Sequence, residues 1–108
     1  DLSVVKHISD RIAVMYMGRI VELAPKVMLY SAPLHPYTLG LLDAIPAPNP
    51  NDKKEQSTIE GDVPNPIDPP SGCRFHPRCP RAMDICRTQP PVMRELRDGH
   101  SVECHLYN

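Results

Sequence analysis

A small, irregular α+β fold is predicted for this chain, and three observations predict it. Periodic apolar signal is confined to residues 1–45, a Pro-rich stretch occupies 46–70, and all four cysteines fall in a loop-rich segment at 71–108. Three parts are therefore expected: a helix, hairpin and short helices at 1–45, a linker at 46–70, and a cysteine subdomain at 71–108. No internal repeat links them.

Within the first part, Leu2, Val5 and Ile8 recur at helical spacing, which predicts a short helix ending near Ser9 and Asp10. Ile12 to Met17 is a continuous apolar run, the pattern of a strand covered on both faces. Gly18-Arg19 is a turn candidate, because Gly supplies the positive φ of tight hairpins. Ile20 to Leu23 completes the hairpin with one partly polar face. Pro25 suits the first turn of a helix over Lys26–Tyr30, and Pro36 that of a helix running to Ala44.

Seven of the 25 residues at 46–70 are Pro, and Asp52 to Gln56 is a charged patch, so an extended, polyproline-like linker is expected. Pro66 and Pro69 give a PxxP spacing, but no basic residue flanks them, which argues against a ligand for an SH3-like partner.

Composition narrows the functions available. The chain has 108 residues, one Phe, four Tyr and no Trp, so its core is modest and a metal or disulfide staple is expected. A net charge of −1 favours neither nucleic acid nor an anionic membrane surface. No run of about 18 apolar residues is present to span a bilayer. The chain starts at Asp1 with no Met and no secretory pattern, and it reads as a piece of something longer.

The cysteines are Cys73, Cys79, Cys86 and Cys104, spaced C-x5-C-x6-C-x17-C. Two disulfides, a zinc ion or an iron–sulfur cluster are each chemically compatible with four cysteines. Low cysteine density and the missing export signal weigh against disulfides. Zinc could take four thiolates, or three with an imidazole from His76, His100 or His105, but a tight C-x2–4-C pair is lacking. A cubane is larger than one ion and suits wide spacing on loops. Arg74, Arg78, Arg81 and Arg87 crowd the first three cysteines and are expected to lower thiol pKa. The residues by themselves leave cluster and zinc both open.

Elsewhere the structural reading is preferred. His35 suits a helix start, and Met15, Met17 and Met28 suit core filling. Asp84 and Glu95 read as solvated, and Cys79 beside His76 reads as a ligand and not as a nucleophile with its base.

Several motifs then resemble one family. Gly61-Asp62-Val63-Pro64, Pro69-Pro70-Ser71-Gly72-Cys73-Arg74-Phe75-His76-Pro77-Arg78-Cys79-Pro80 and His35-Pro36-Tyr37-Thr38 resemble the C-terminal region of oligopeptide/dipeptide ABC importer ATP-binding subunits, the HPY-type region. Asp1 to Val5 and Ser9 to Tyr16 are similar to the stretch after the switch histidine of such ATPases. The resemblance covers the chain except for the charged patch near 51–57.

The resemblance implies a cytoplasmic, peripheral subunit on the inner face of the cell membrane. It would work with membrane permease subunits and a second ATP-binding subunit to import peptides or nickel. It implies a [4Fe-4S] cluster on Cys73, Cys79, Cys86 and Cys104, with zinc as the alternative. ATP and Mg belong to the parent only, since no G-x-x-x-x-G-K-[ST] loop, Walker B acid or switch histidine occurs here; His7 lies too far along to serve. The chain is thus expected not to be an enzyme by itself. A different class, a stand-alone zinc-type module on nucleic acid, lacks aromatic interleaving among its arginines. Cut from its parent, residues 1–45 are expected to self-associate through an exposed strand edge.

Overall fold

The computed structural model of the chain describes residues 3–8, 10–43 and 68–108, with side chains described from Asp10 onward. Most of the expected linker, 46–67, and the expected helix end at Ala44 lie outside the described residues.

The helix expected from Leu2, Val5 and Ile8 is instead a strand, β1 (Ser3–Ile8). Val4, Val5 and Ile8 are β-branched, which favours strand over helix. A helix of six residues is marginal in water, whereas β1 gains an antiparallel ladder with β2 (Arg11–Tyr16), from Ser3 opposite Tyr16 to Ile8 opposite Arg11. The apolar run at 12–17 supplies β2, as its pattern predicts.

The turn into β3 (Arg19–Pro25) is formed by Met17 and Gly18, one residue earlier than expected. Both have positive φ, +48° and +80°, as a type I′ hairpin requires. A register shift opposite Val14 and Met15 leaves Val21 as an extra residue on β3. Normal alternation would send one of Val21 and Glu22 outward; with the bulge, both are buried.

The Pro residues place the helices where expected. Pro25 caps α1 (Lys26–Ser31), and Pro36 opens α2 (Pro36–Asp43). The cysteine segment has short 3-10 turns at His76–Arg78, Asp84–Arg87 and His105–Tyr107. It also contributes β4 (Met93–Arg97) and β5 (His100–Glu103), joined by a turn at Asp98-Gly99. β5 pairs antiparallel with β3, so one five-stranded sheet of order β1-β2-β3-β5-β4 runs through both segments.

The core lies on the face of β2 that carries Ile12, Val14 and Tyr16, with Met17, Val21, Ala24, Leu29, Tyr37 and Phe75. Phe75 from the cysteine loop meets three rings. Tyr16, Tyr37 and His35 lie at centroid distances of 5.1, 5.2 and 5.6 Å from it. These tilted and edge-on contacts lie in the favourable range for aromatic pairs. The HPY element and the cysteine loop therefore meet in one aromatic cluster.

Candidate metal centre

The four cysteines come from four local structures, and Cys73 and Cys79 pack against the apolar core. Cys73 follows Gly72 in a turn, and Cys79 closes the His76–Arg78 turn. Cys86 lies within the Asp84–Arg87 turn, and Cys104 directly follows β5. Two bonds tie the first arm to the third: Cys73 N–H to Cys86 O at 2.8 Å, and Ser71 Oγ–H to Arg87 O at 2.7 Å. Gly72 makes this approach possible. Its φ is +70°, and a Cβ there would stand 2.4 Å from Cys86 O.

All four carry reduced thiols, with Cys86 and Cys104 buried and Cys73 and Cys79 half-buried. Each sulfur receives a backbone amide. Arg81 N–H donates to Cys79 Sγ and Met83 N–H to Cys86 Sγ, both at 3.4 Å. The amides of Phe75 and His76 bond Cys73, and that of Leu106 bonds Cys104. Amides aimed at sulfur stabilise thiolate over thiol.

Burial works against them. It pushes the Cys104 thiol up to about 12, with the charges of Cys73, Cys79 and Cys86 adding to the effect. Burial, then Cys86 and Cys79, likewise raise Cys73. The other three sulfurs thus act on Cys104, and Cys79 and Cys86 act on Cys73. The expectation that neighbouring arginines lower the thiol pKa of the first three cysteines is therefore reversed at Cys73. Three of the four arginines are engaged elsewhere. Arg74 donates to Met17 O at 2.8 Å, and Arg87 pairs with Asp84 at 2.8 Å. Arg78 reaches Tyr16 Oη at 3.4 Å and sits over that ring.

The histidines weighed as zinc ligands are also engaged. His76 Nδ1 contacts Cys73 O at 2.7 Å, His100 Nε2 donates to Glu22 at 2.6 Å, and His105 Nε2 contacts Gln89 O at 2.6 Å. Among the described residues, no three His, Cys, Asp or Glu side chains converge as a single metal ion would require.

Sequence reasoning missed the polar hub that seats this site. Glu22 is fully buried; it accepts the amides of Leu34 and His35 at 2.9 Å each, besides His100 Nε2–H. It joins β3, the HPY element and β5 through one carboxylate. Its only signal was a charge in the middle of an apolar strand. His35 caps α2, its Nδ1 accepting Tyr37 N–H at 3.0 Å, and burial lowers its pKa to about 4, keeping it neutral. Arg19 was missed as well: Nε and Nη2 donate to the two carboxylate oxygens of Glu103 at 2.8 Å each.

The chain belongs to the family described as "Oligopeptide/dipeptide transporter, C-terminal region", whose model matches residues 21–86. It is 52% identical over 106 residues to "Probable peptide ABC transporter ATP-binding protein y4tS" of Sinorhizobium fredii, covering 98% of this chain and 30% of that protein. It is 49% identical over 110 residues to "Oligopeptide transport ATP-binding protein AppF" of Bacillus subtilis, covering 100% of this chain and 33% of that protein. The chain therefore spans about a third of the length of these curated relatives. Among the described residues, no helix is long and apolar enough to cross a membrane.

Proposed function

We propose that the chain is an accessory region of the ATP-hydrolysing subunit of an importer of peptides, or alternatively nickel. In this reading it acts at the inner face of the cell membrane, beside permease subunits and a second ATP-binding subunit. One observation carries the proposal: nearly the whole chain aligns, at about half identity, with proteins named for peptide or oligopeptide transport. Residues 1–45 then complete the ATP-binding body, 46–70 connect, and 71–108 carry the sulfur site. ATP and Mg act in the parent, because this stretch has no phosphate loop to cradle them. The test is peptide uptake by the parent transporter with and without this region. Loss of uptake on deletion is expected, and undiminished uptake would refute an accessory role.

We further infer that Cys73, Cys79, Cys86 and Cys104 hold a [4Fe-4S] cluster. The charges of Cys73, Cys79 and Cys86 all act on Cys104, and each of the four sulfurs has an amide donor, which supports this reading. Such a cluster supplies a cross-link between four separated chain positions, with a one-electron couple where it is redox-active. A visible spectrum of anaerobically purified protein, with iron, sulfide and zinc analysis, decides the matter. A brown protein is expected; a colourless, zinc-loaded one would establish the alternative.

Isolated from its parent, the chain is expected to self-associate through β1, whose outer edge has no partner strand among the described residues. Light scattering on the pure chain tests this, and a monomer would refute it.

A further inference from the structure

We propose that Arg19 is the charge partner of the four-sulfur site, brought there by the β2–β3 turn and aimed by Glu103. The proposal rests on the reading that the cysteines bind a negatively charged metal or cluster complex, and it concerns what regulates that complex. The four arginines nearest the cysteines in sequence suggest a ring of counter-charges. In the fold, however, three of the four are turned elsewhere, Arg74 and Arg78 to Met17 O and Tyr16, and Arg87 to Asp84.

Arg19 comes from the other half of the chain, 84 residues from its partner. Its fork grips both oxygens of Glu103, a buried carboxylate that directly precedes Cys104. The side chain of Arg19 is 43% exposed and that of Glu103 is 10% exposed. A cleft of about 250 Å³ has Arg19, Glu103, Cys73 and Arg74 on its walls. Glu103 holds the guanidinium firmly protonated, and the charge of Cys73 acts on it in the same direction. Arg74 binds the carbonyl of Met17, so the same tight turn is held from two sides by the sulfur segment.

A four-thiolate complex carries net negative charge, and reduction adds more. A cation held beside it in partly buried surroundings stabilises the more negative form. Arg suits this position because the bidentate pair fixes its direction as well as its charge. Charge at the sulfurs is consequently felt at the β2–β3 turn.

The test uses the full chain, purified anaerobically, with Arg19→Gln, Arg19→Lys, Glu103→Gln and, as control, Arg97→Gln on exposed β4. The readout is the midpoint potential of the visible chromophore. Removing the cation in Arg19→Gln should disfavour the reduced form about tenfold, equivalent to about 59 mV downward for a one-electron couple. Removing the anion in Glu103→Gln should shift it upward. Arg19→Lys and Arg97→Gln should stay near the parent value. A merely structural pair predicts that Arg19→Gln and Glu103→Gln move together, and that result, or no movement, overturns the proposal. If Arg19→Gln does not fold, the sign for Glu103→Gln decides. If the chain loads only zinc, the cluster reading falls, and the dissociation constant of zinc replaces the potential. Arg19→Gln should then weaken it about tenfold and Glu103→Gln strengthen it, and shifts in one direction overturn the proposal. A chain that loads neither overturns both.

Discussion

Residues 10–43 and 68–108 contribute to one sheet but hold their shape by different means. Of the nine residues in the buried apolar cluster, eight come from the first segment and only Phe75 from the second. The first segment is a hairpin and two helices closed over a continuous core. In the second, β4 is exposed at all five positions, and the buried groups are largely sulfur and polar. The cysteine segment therefore owes its place to a few specific joints: Phe75 among the rings, His100 on Glu22, and Arg19 on Glu103. A segment built this way depends on its joints and its sulfur chemistry far more than on hydrophobic area.

The sharpest way to break this comparison is to remove the hub. Glu22→Ala leaves His100 and the amides of Leu34 and His35 buried without their acceptor. A loss of about 3–5 kcal/mol is expected, as when one member of a buried pair is deleted. Glu22→Gln keeps the shape but faces at least one of these donors with another, and should lose about 1–3 kcal/mol. Urea unfolding followed by tyrosine fluorescence measures both. A loss under about 1 kcal/mol for Glu22→Ala would show that the segments are joined some other way.

How much of this was legible follows the same division. The apolar run at 12–17, Pro25 and Pro36 announced β2, α1 and α2 because local pattern and backbone chemistry decide them. The joint site expected of the four cysteines from spacing and resemblance stands as a proposal, because among the described residues no three donor side chains converge as a metal ion requires. β1 was misread because three apolar residues at helical spacing concealed a β-branched segment with a strand waiting beside it. The insertion of β5 next to β3 and the Glu22–His100 and Arg19–Glu103 bonds were not legible. They join residues 78 to 84 positions apart, and no periodicity records such a pairing.

His35 offers a pH test of the joint. Its folded pKa is depressed to about 4 from an ordinary value of 6.5, with burial as the cause. The unfolded chain therefore takes up the proton first. Stability from this group is fully present above pH 6.5 and is lost as pH falls toward 4. The loss approaches about 3 kcal/mol, discounted for whatever solvent enters when the site loosens. Besides Tyr37 N–H, the charged neighbour on its own backbone amide is Glu22, and Phe75 packs against the ring. His35→Asn retains an acceptor for Tyr37 N–H and removes the titration. Urea midpoints at pH 7 and 4.5 should diverge for the parent and converge for the variant, and equal slopes would refute the assignment.

Gly72→Ala sharpens the comparison within the cysteine segment alone. Its φ of +70° and the 2.4 Å approach to Cys86 O leave no room for a methyl group. The arms bearing Cys73 and Cys86 would have to separate. A cost of about 1–3 kcal/mol is expected, with metal or cluster content falling in step. Hydrogen exchange should quicken at Cys73 N–H while the β2–β3 ladder keeps its protection. Uniform acceleration across both segments would mean that the segments are not separable in this sense.

The smallest effect is expected at Arg87, where sequence proximity to Cys86 suggests the opposite. Arg87 Nη1 bonds Asp84 Oδ1 at 2.8 Å one turn away, but the side chains are 63% and 101% exposed. Water screens such a pair, and holding two long side chains together costs entropy that offsets the attraction. The contribution of Arg87 to the site is made by its backbone, whose carbonyl accepts Ser71 Oγ–H, and Arg87→Gln preserves that bond. The variant should unfold at the parent's urea midpoint and carry the same metal content. Arg74→Gln, which loses the bond to Met17 O across the two segments, should unfold earlier. If Arg87→Gln lowers metal content while Arg74→Gln does not, the cationic neighbours act on the sulfurs through charge near in sequence. The joints between segments would then be secondary.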